Sequence, residues 1–169
     1  MKKRADRHKA DLEKGKFLFY QYYGNKFGMW HDLGDEYEKC YIPQEIEAEW
    51  KADILSKLEK EILTAQGLDL EIAVSRYINL IPESSNYLIR LLQSKETDTF
   101  TSIIFCEMLK NKALKTKDKA KAAHIRLFLD DMKIKLLNKP ITVHKSYNND
   151  HTRNYDFSDA NIIARIKAI

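Results

Sequence analysis

Two adjacent residues, His31 and Asp32, are of the types that bind a divalent metal side by side. An imidazole nitrogen and a carboxylate oxygen, joined by an earlier histidine and a later aspartate, would hold an ion that activates water. His8 is the earlier histidine available, and Asp98, Asp130 and Asp131 are the later carboxylates. The preceding stretch, Asn25-Lys26-Phe27-Gly28-Met29-Trp30, shows no apolar helical pattern, and His8 stands among charged residues. Nucleophilic arrangements have less support. Cys40 lies between Lys39 and Tyr41, where a lysine would lower a thiol pKa slightly. No histidine is near it in the chain. Cys106 sits within the apolar stripe 103–109 and reads as a small core residue. His124 falls in a helical pattern, and His144 and His151 lie seven apart in a polar stretch without a third ligand. The chain has no GxGxxG, P-loop, GxSxG or CxxC motif.

Binding chemistry has more to work with. Segment 17–50 holds ten of the eighteen aromatic residues: Phe17, Phe19, Tyr20, Tyr22, Tyr23, Phe27, Trp30, Tyr37, Tyr41 and Trp50. Asp32, Asp35, Glu36, Glu38, Glu45, Glu47 and Glu49 are interleaved with them. One reading is a core with a solvated acidic face, since aromatic side chains dominate cores as well as interfaces. The other is a partner-binding surface, in which aromatic anchors supply affinity and an acidic rim steers a basic partner. Tyr22, Tyr23, Trp30 and Tyr37 stand near Gly24, Gly28 and Gly34, in a stretch that a regular helix would not bury neatly. They are the aromatics expected to be exposed, with Asp32, Asp35, Glu36 and Glu38 as the rim.

The main basic feature is Lys110, Lys112, Lys115, Lys117, Lys119 and Lys121, joined by Arg126. Such a run can neutralise nucleic-acid phosphates. It can also be a solvated turn between helices, the commoner case for a charge run. No aromatic interleaves the lysines to stack bases, and no helix-turn-helix or zinc-finger pattern accompanies them. Nucleic acid is thus the less favoured partner.

Helices must position these groups. Pro43 opens one, with Glu45 and Glu47 in its first turn. Ile46, Trp50, Ile54, Leu58 and Ile62 then recur every four residues until Gly67. A second helix starts near Asp69 and stops at Pro82. Ser84 or Ser85 would cap a third, Thr97 or Asp98 a fourth, and Asp118 a fifth reaching about Asn138. The fifth is apolar on two sides: Ile125, Phe128, Leu129, Met132 and Leu136 on one, Leu127, Ile134 and Leu137 on the other. That pattern predicts a central helix. Residues 140–157 read as a polar, extended loop, and Ser158 would cap a last helix. Residues 3–22 form an N-terminal helix, and 23–42 an irregular, aromatic-rich segment with room for a short hairpin.

The expected class is all-α, a compact helical bundle or a short stack of HEAT-like helical hairpins. It reads as a single domain over 1–169. Within it, 1–42 is the N-terminal helix with its aromatic, acidic segment, 43–138 the helical core, 139–157 a loop and 158–169 the closing helix. A chain of 169 residues buries roughly 68–70% of its unfolded surface, enough to need no disulfide or metal staple. No apolar run is long enough to span a membrane, and the basic N-terminus has no apolar stretch behind it to make a signal peptide. The net charge of +4 conceals three blocks: +5 over 1–28, −8 over 29–75 and +7 over 76–169. The acidic block can attract a basic partner or offset its basic neighbours.

Two resemblances follow. His31-Asp32-Leu33-Gly34-Asp35 resembles the His-Asp pair of HD-type metal phosphohydrolases, which are all-helical, and implies phosphoester hydrolysis at a metal held by His31 and Asp32. Tyr22-Tyr23-Gly24, Met29, Glu36-Tyr37-Glu38-Lys39, the run Ile42 to Glu47, and Trp50 resemble small cytosolic all-helical proteins of Gram-positive bacteria. Some of these are immunity partners of secreted toxins. This second resemblance covers the first third of the chain and implies a cytoplasmic, immunity-type protein; the lack of a catalytic constellation makes the expected protein non-enzymatic and without cofactor. Its partner would be another protein with a basic surface.

Overall fold

The structure is a computed structural model. It describes residues 2–150 and 152–169, with side chains described from residue 10 onward. The described residues form eight α-helices and no strand: α1 (Lys2–Gln21), α2 (Lys26–Leu33), α3 (Gln44–Thr64), α4 (Gly67–Leu80), α5 (Ser84–Ser94), α6 (Thr99–Lys115), α7 (Lys119–Leu137) and α8 (Asp159–Ala168). Two short 3-10 turns, Glu38–Cys40 and Lys145–Asn149, interrupt the connections. The fold is all-α. Among the described residues, no helix is long and apolar enough to cross a membrane. The chain gathers into two compact units, Met1–Leu63 and Thr64–Ile169. Helix α3 thus belongs with the N-terminal segment rather than with the helices that follow it.

In the first unit, α3 begins behind Pro43 and buries Trp50, Ile54, Leu58 and Ile62, the four-residue repeat read from the sequence. Phe19 of α1 lies between Tyr37 and Trp50, with ring centroids 6.0 and 5.7 Å away. The segment 23–42 is more regular than expected. It holds α2 and a 3-10 turn in place of a hairpin. The side chain of Asn25 accepts from the Gly28 amide and starts α2. Gly34, at φ +61°, ends it. With Gly28 inside and only Met29 buried, α2 has no apolar stripe for a sequence pattern to show.

In the second unit, α6 is the central helix. It packs against α4, α5, α7 and α8, and every residue from Thr99 to Cys106 is buried. The expectation that α7 would be central is corrected. Its Ile125, Leu129, Met132 and Leu136 side is buried, while Leu127, Ile134 and Leu137 face solvent. Asp98, Asp118 and Ser158 cap their helices through side-chain bonds to the amides of Thr101, Lys121 and Asn161. Ser84 and Ser85 instead lie inside α5, buried. The Asp98 carboxylate also accepts from the Thr101 hydroxyl. Asp98→Ala is expected to cost about 1–2 kcal/mol, the range for a lost N-cap, read as a lower urea midpoint. An unchanged midpoint would show that the cap is replaced by water.

The described residues of 140–157 form a largely exposed loop with one 3-10 turn, as expected, but its aromatic residues pack inward. Tyr147 is fully buried, and with Tyr155 and Phe157 it packs edge-on around Phe100. Polar bonds hold this strap at three places. Thr142 exchanges bonds with Thr99, Ser146 Oγ accepts from the Leu68 amide at 2.9 Å, and Arg153 donates to the buried Glu71 at 2.6 Å. Among the described residues, Glu71 Oε2 has no hydrogen-bond partner.

Candidate functional site

The aromatic segment of the first unit divides into a buried half and an exposed half. Two left-handed residues help to set the division: Tyr23 and Tyr41, each at φ 50°. Tyr37 faces inward and is only 6% exposed, so the expectation that it would be accessible is corrected. Its hydroxyl donates to Glu47 Oε1 at 2.8 Å, and the Lys26 ammonium holds Glu47 Oε2 at 2.6 Å. Burial, then the Glu47 hydrogen bond, pushes the Tyr37 phenol far above its usual range, so it stays a neutral donor. Tyr22 and Tyr23 are half-buried. Trp30 is 58% exposed, as expected. Phe17, Phe27 and Tyr41 are also exposed, Tyr41 at 82%.

Helix α2 explains the pairing of Phe27 with Trp30. Residues three apart on a helix share a face. Met29 takes the inward side, leaving Phe27, Trp30 and His31 outward. The Phe27 ring lies 6.4 Å from Trp30 and 6.2 Å from His31. Beside them is a cleft of about 230 Å³, lined by Trp30, Tyr37, Glu38, Tyr41, Ile42 and Glu47 among others. Its wall is therefore aromatic, and one of its carboxylates is fixed by a tyrosine and a lysine.

The acidic rim is weaker than its count suggests. Asp35 pairs with Lys39 at 2.7 Å and Glu36 with Lys14 at 2.9 Å. Asp32 bonds His31 Nδ1 at 2.8 Å. The hydrogen bonds from His31 and then Tyr22 hold the Asp32 carboxyl below the ordinary carboxylate range. Glu38, Glu45 and Glu49 are exposed and have no ion pair among the described residues. They carry the residual negative charge of this face. No family model, curated protein or solved structure matches this chain.

The other candidates are placed as follows. His31 and Asp32 are both exposed. Among the described residues, no group of three or more His, Cys, Asp or Glu side chains is arranged to hold a metal ion. The side chain of His8, and His151 altogether, lie outside the described residues. His144 Nδ1 bonds Ser146 and caps the second 3-10 turn. His124 is exposed on α7. Cys40 and Cys106 are both buried. Lys39 does not activate Cys40, because its ammonium sits on Asp35 and burial pushes the thiol up.

The lysine run turns a corner instead of forming one face. Lys110 donates to the Ala168 carbonyl. Lys112 is half-buried, and burial followed by repulsion from Lys115 and Lys121 lowers its pKa. Lys121 pairs with Glu83 at 3.2 Å. Lys115, Lys117, Lys119 and Arg126 remain exposed across the α6–α7 turn and the start of α7.

Proposed function

We propose that this chain is a non-enzymatic cytoplasmic protein that works by binding another protein through the face bearing Phe27, Trp30 and Tyr41. One observation carries the reading: three large aromatic side chains are held outward by α2 and the Tyr41 turn, although apolar core positions are available to their neighbours Met29 and Tyr37. Exposed aromatic clusters of this kind are typical anchors of protein interfaces. The residual charge of Glu38, Glu45 and Glu49 suits a partner with a basic surface and would act mainly on association rate. The specific form we favour is an immunity-type inhibitor that covers the basic active-site cleft of a toxin, the role implied by the resemblance of residues 22–50.

Trp30→Ala and Tyr41→Ala are the test. Both side chains are exposed, so the melting temperature should hold. Affinity for the captured partner, measured by calorimetry, should fall by about 2 kcal/mol per anchor, roughly thirtyfold. Glu38→Gln should slow association and flatten its salt dependence while leaving dissociation unchanged. Unaltered affinity in both aromatic variants would refute the assignment of this face.

A further inference from the structure

The second unit carries a different unpartnered surface. Among its described residues, every exposed large apolar side chain lies on α7 or at the end of α6: Leu127, Ile134 and Leu137, with Leu114. The outer face of α7 follows alternating steps of three and four residues: Ala120, Ala123, Leu127, Asp130, Ile134 and Leu137. That spacing keeps side chains in one seam along a helix and is the spacing at which a second helix seats its own apolar edge. One border of the seam is a cationic column, Lys119, Arg126 and Lys133, each seven residues from the next. The other border is His124, Asp131 and Asn138.

The charges select among occupants. A second copy packed antiparallel would set Lys119, Arg126 and Lys133 against the same column of its mate, because these flanks face each other in that arrangement. A second copy packed parallel and in register would press Asp130 against its own counterpart. A lipid surface would have to desolvate Asp130 in the middle of the apolar seam. A helix from a different protein meets none of these obstacles. It needs acidic residues along the edge that borders Lys119, Arg126 and Lys133, and a cation opposite Asp130.

We propose that the outer face of α7 docks an acidic amphipathic helix of a partner protein, anchored on Leu127, Ile134 and Leu137. This surface is separate from the aromatic face of the first unit, has the opposite charge preference, and stands or falls independently of it. It also gives the exposed lysines around the α6–α7 turn a role in steering an acidic partner rather than nucleic acid.

The probe is a synthetic, fluorescein-labelled 21-residue helix with leucine along its seam, glutamate on the flank that meets Lys119, Arg126 and Lys133, glutamine on the other, and one lysine placed to face Asp130. Fluorescence anisotropy with the full chain should show saturable binding that weakens with added salt. The double variant Leu127→Ser, Ile134→Ser should bind at least about tenfold more weakly. Both positions are exposed, and an unchanged far-UV circular dichroism melt confirms that the variant is folded. The same peptide with lysine flanks should not bind the wild-type chain. Absence of saturable binding, equal binding of the lysine-flanked peptide, or an undiminished signal in the double variant would each overturn the proposal. So would concentration-dependent dimerisation in sedimentation that the double variant abolishes, which assigns the face to a second copy. Co-sedimentation with phosphatidylglycerol vesicles lost in that variant would assign it to lipid, with the same consequence.

Discussion

Phe100→Ala is expected to destabilise the second unit by about 3–5 kcal/mol, the range for truncating a fully buried phenylalanine. Phe100 has no exposed surface and stands in the first turn of α6. Its ring meets Tyr147 at 4.8 Å, Phe157 at 5.0 Å and Tyr155 at 5.2 Å, all near-perpendicular. The Arg165 guanidinium lies 4.7 Å from its centroid. Edge-to-face pairs contribute about 0.5–1.5 kcal/mol each beyond buried area, so the loss should fall toward the top of the range. The three partner rings all belong to the strap, which cannot close over the cavity without pulling on its bonds to Thr99, Leu68 and Glu71. Urea unfolding followed by circular dichroism measures the loss, and tyrosine near-ultraviolet ellipticity should weaken before the helices melt. A cost below about 1 kcal/mol, the level of an ordinary substitution, would show that the strap is held by its polar bonds alone.

The second large effect is expected at the start of α4. Gly67 has φ +54° and sits against the strap, so a Cβ added there would collide with His144 Nδ1 and Ser146 Oγ. The left-handed backbone costs an alanine about 1–2 kcal/mol, and forcing the packed neighbours apart costs about 1–3 kcal/mol more. Ser146 cannot yield cheaply, because its hydroxyl serves the Leu68 amide. Gly34 supplies the control. Its φ is +61°, yet nothing lies within 4 Å of the position a Cβ would take. Gly34→Ala should show a backbone cost with no collision, whereas the loss at Gly67 should exceed about 2 kcal/mol, the top of the left-handed backbone range. A loss at Gly67 within about 1–2 kcal/mol in thermal melts would mean that the strap moves aside freely.

These two sites also show what the sequence could and could not convey. A helix that buries one stripe advertises it through spacing, so α3 was legible from Trp50, Ile54, Leu58 and Ile62. Caps are local chemistry, which made Asp98, Asp118 and Ser158 readable. The strap has no period. Tyr147 is buried, and Tyr155 and Phe157 half-buried, one at a time by contacts to Phe100, some fifty residues away, and the intervening polar residues hide them. The lone inward residue of α2 defeats pattern reading in the same way. On α7 the difficulty is reversed, since both apolar sides are visible in the sequence but only tertiary structure decides which is covered. The aromatic face was partly legible. Trp30 was identified, while Tyr37, expected to be exposed, is buried, and Tyr41, which the spacing did not single out, stands exposed at a left-handed turn. Charge counting overstated the acidic rim for a related reason. The Asp35–Lys39 pair follows from local spacing, but Lys14 reaches Glu36 only once the chain has turned back.

The placement of the two thiols has a kinetic consequence. Cys40 lies in the first unit and Cys106 in the second, and both are buried. The Cys106 thiol is pushed up to about 12 by burial, and that of Cys40 is also raised. Neither reacts well from the closed state, so alkylation must wait for local opening. Each unit thus contains its own single-residue clock. The two labelling rates, resolved by peptide mass spectrometry, would report how often each unit breathes and whether both open in the same event.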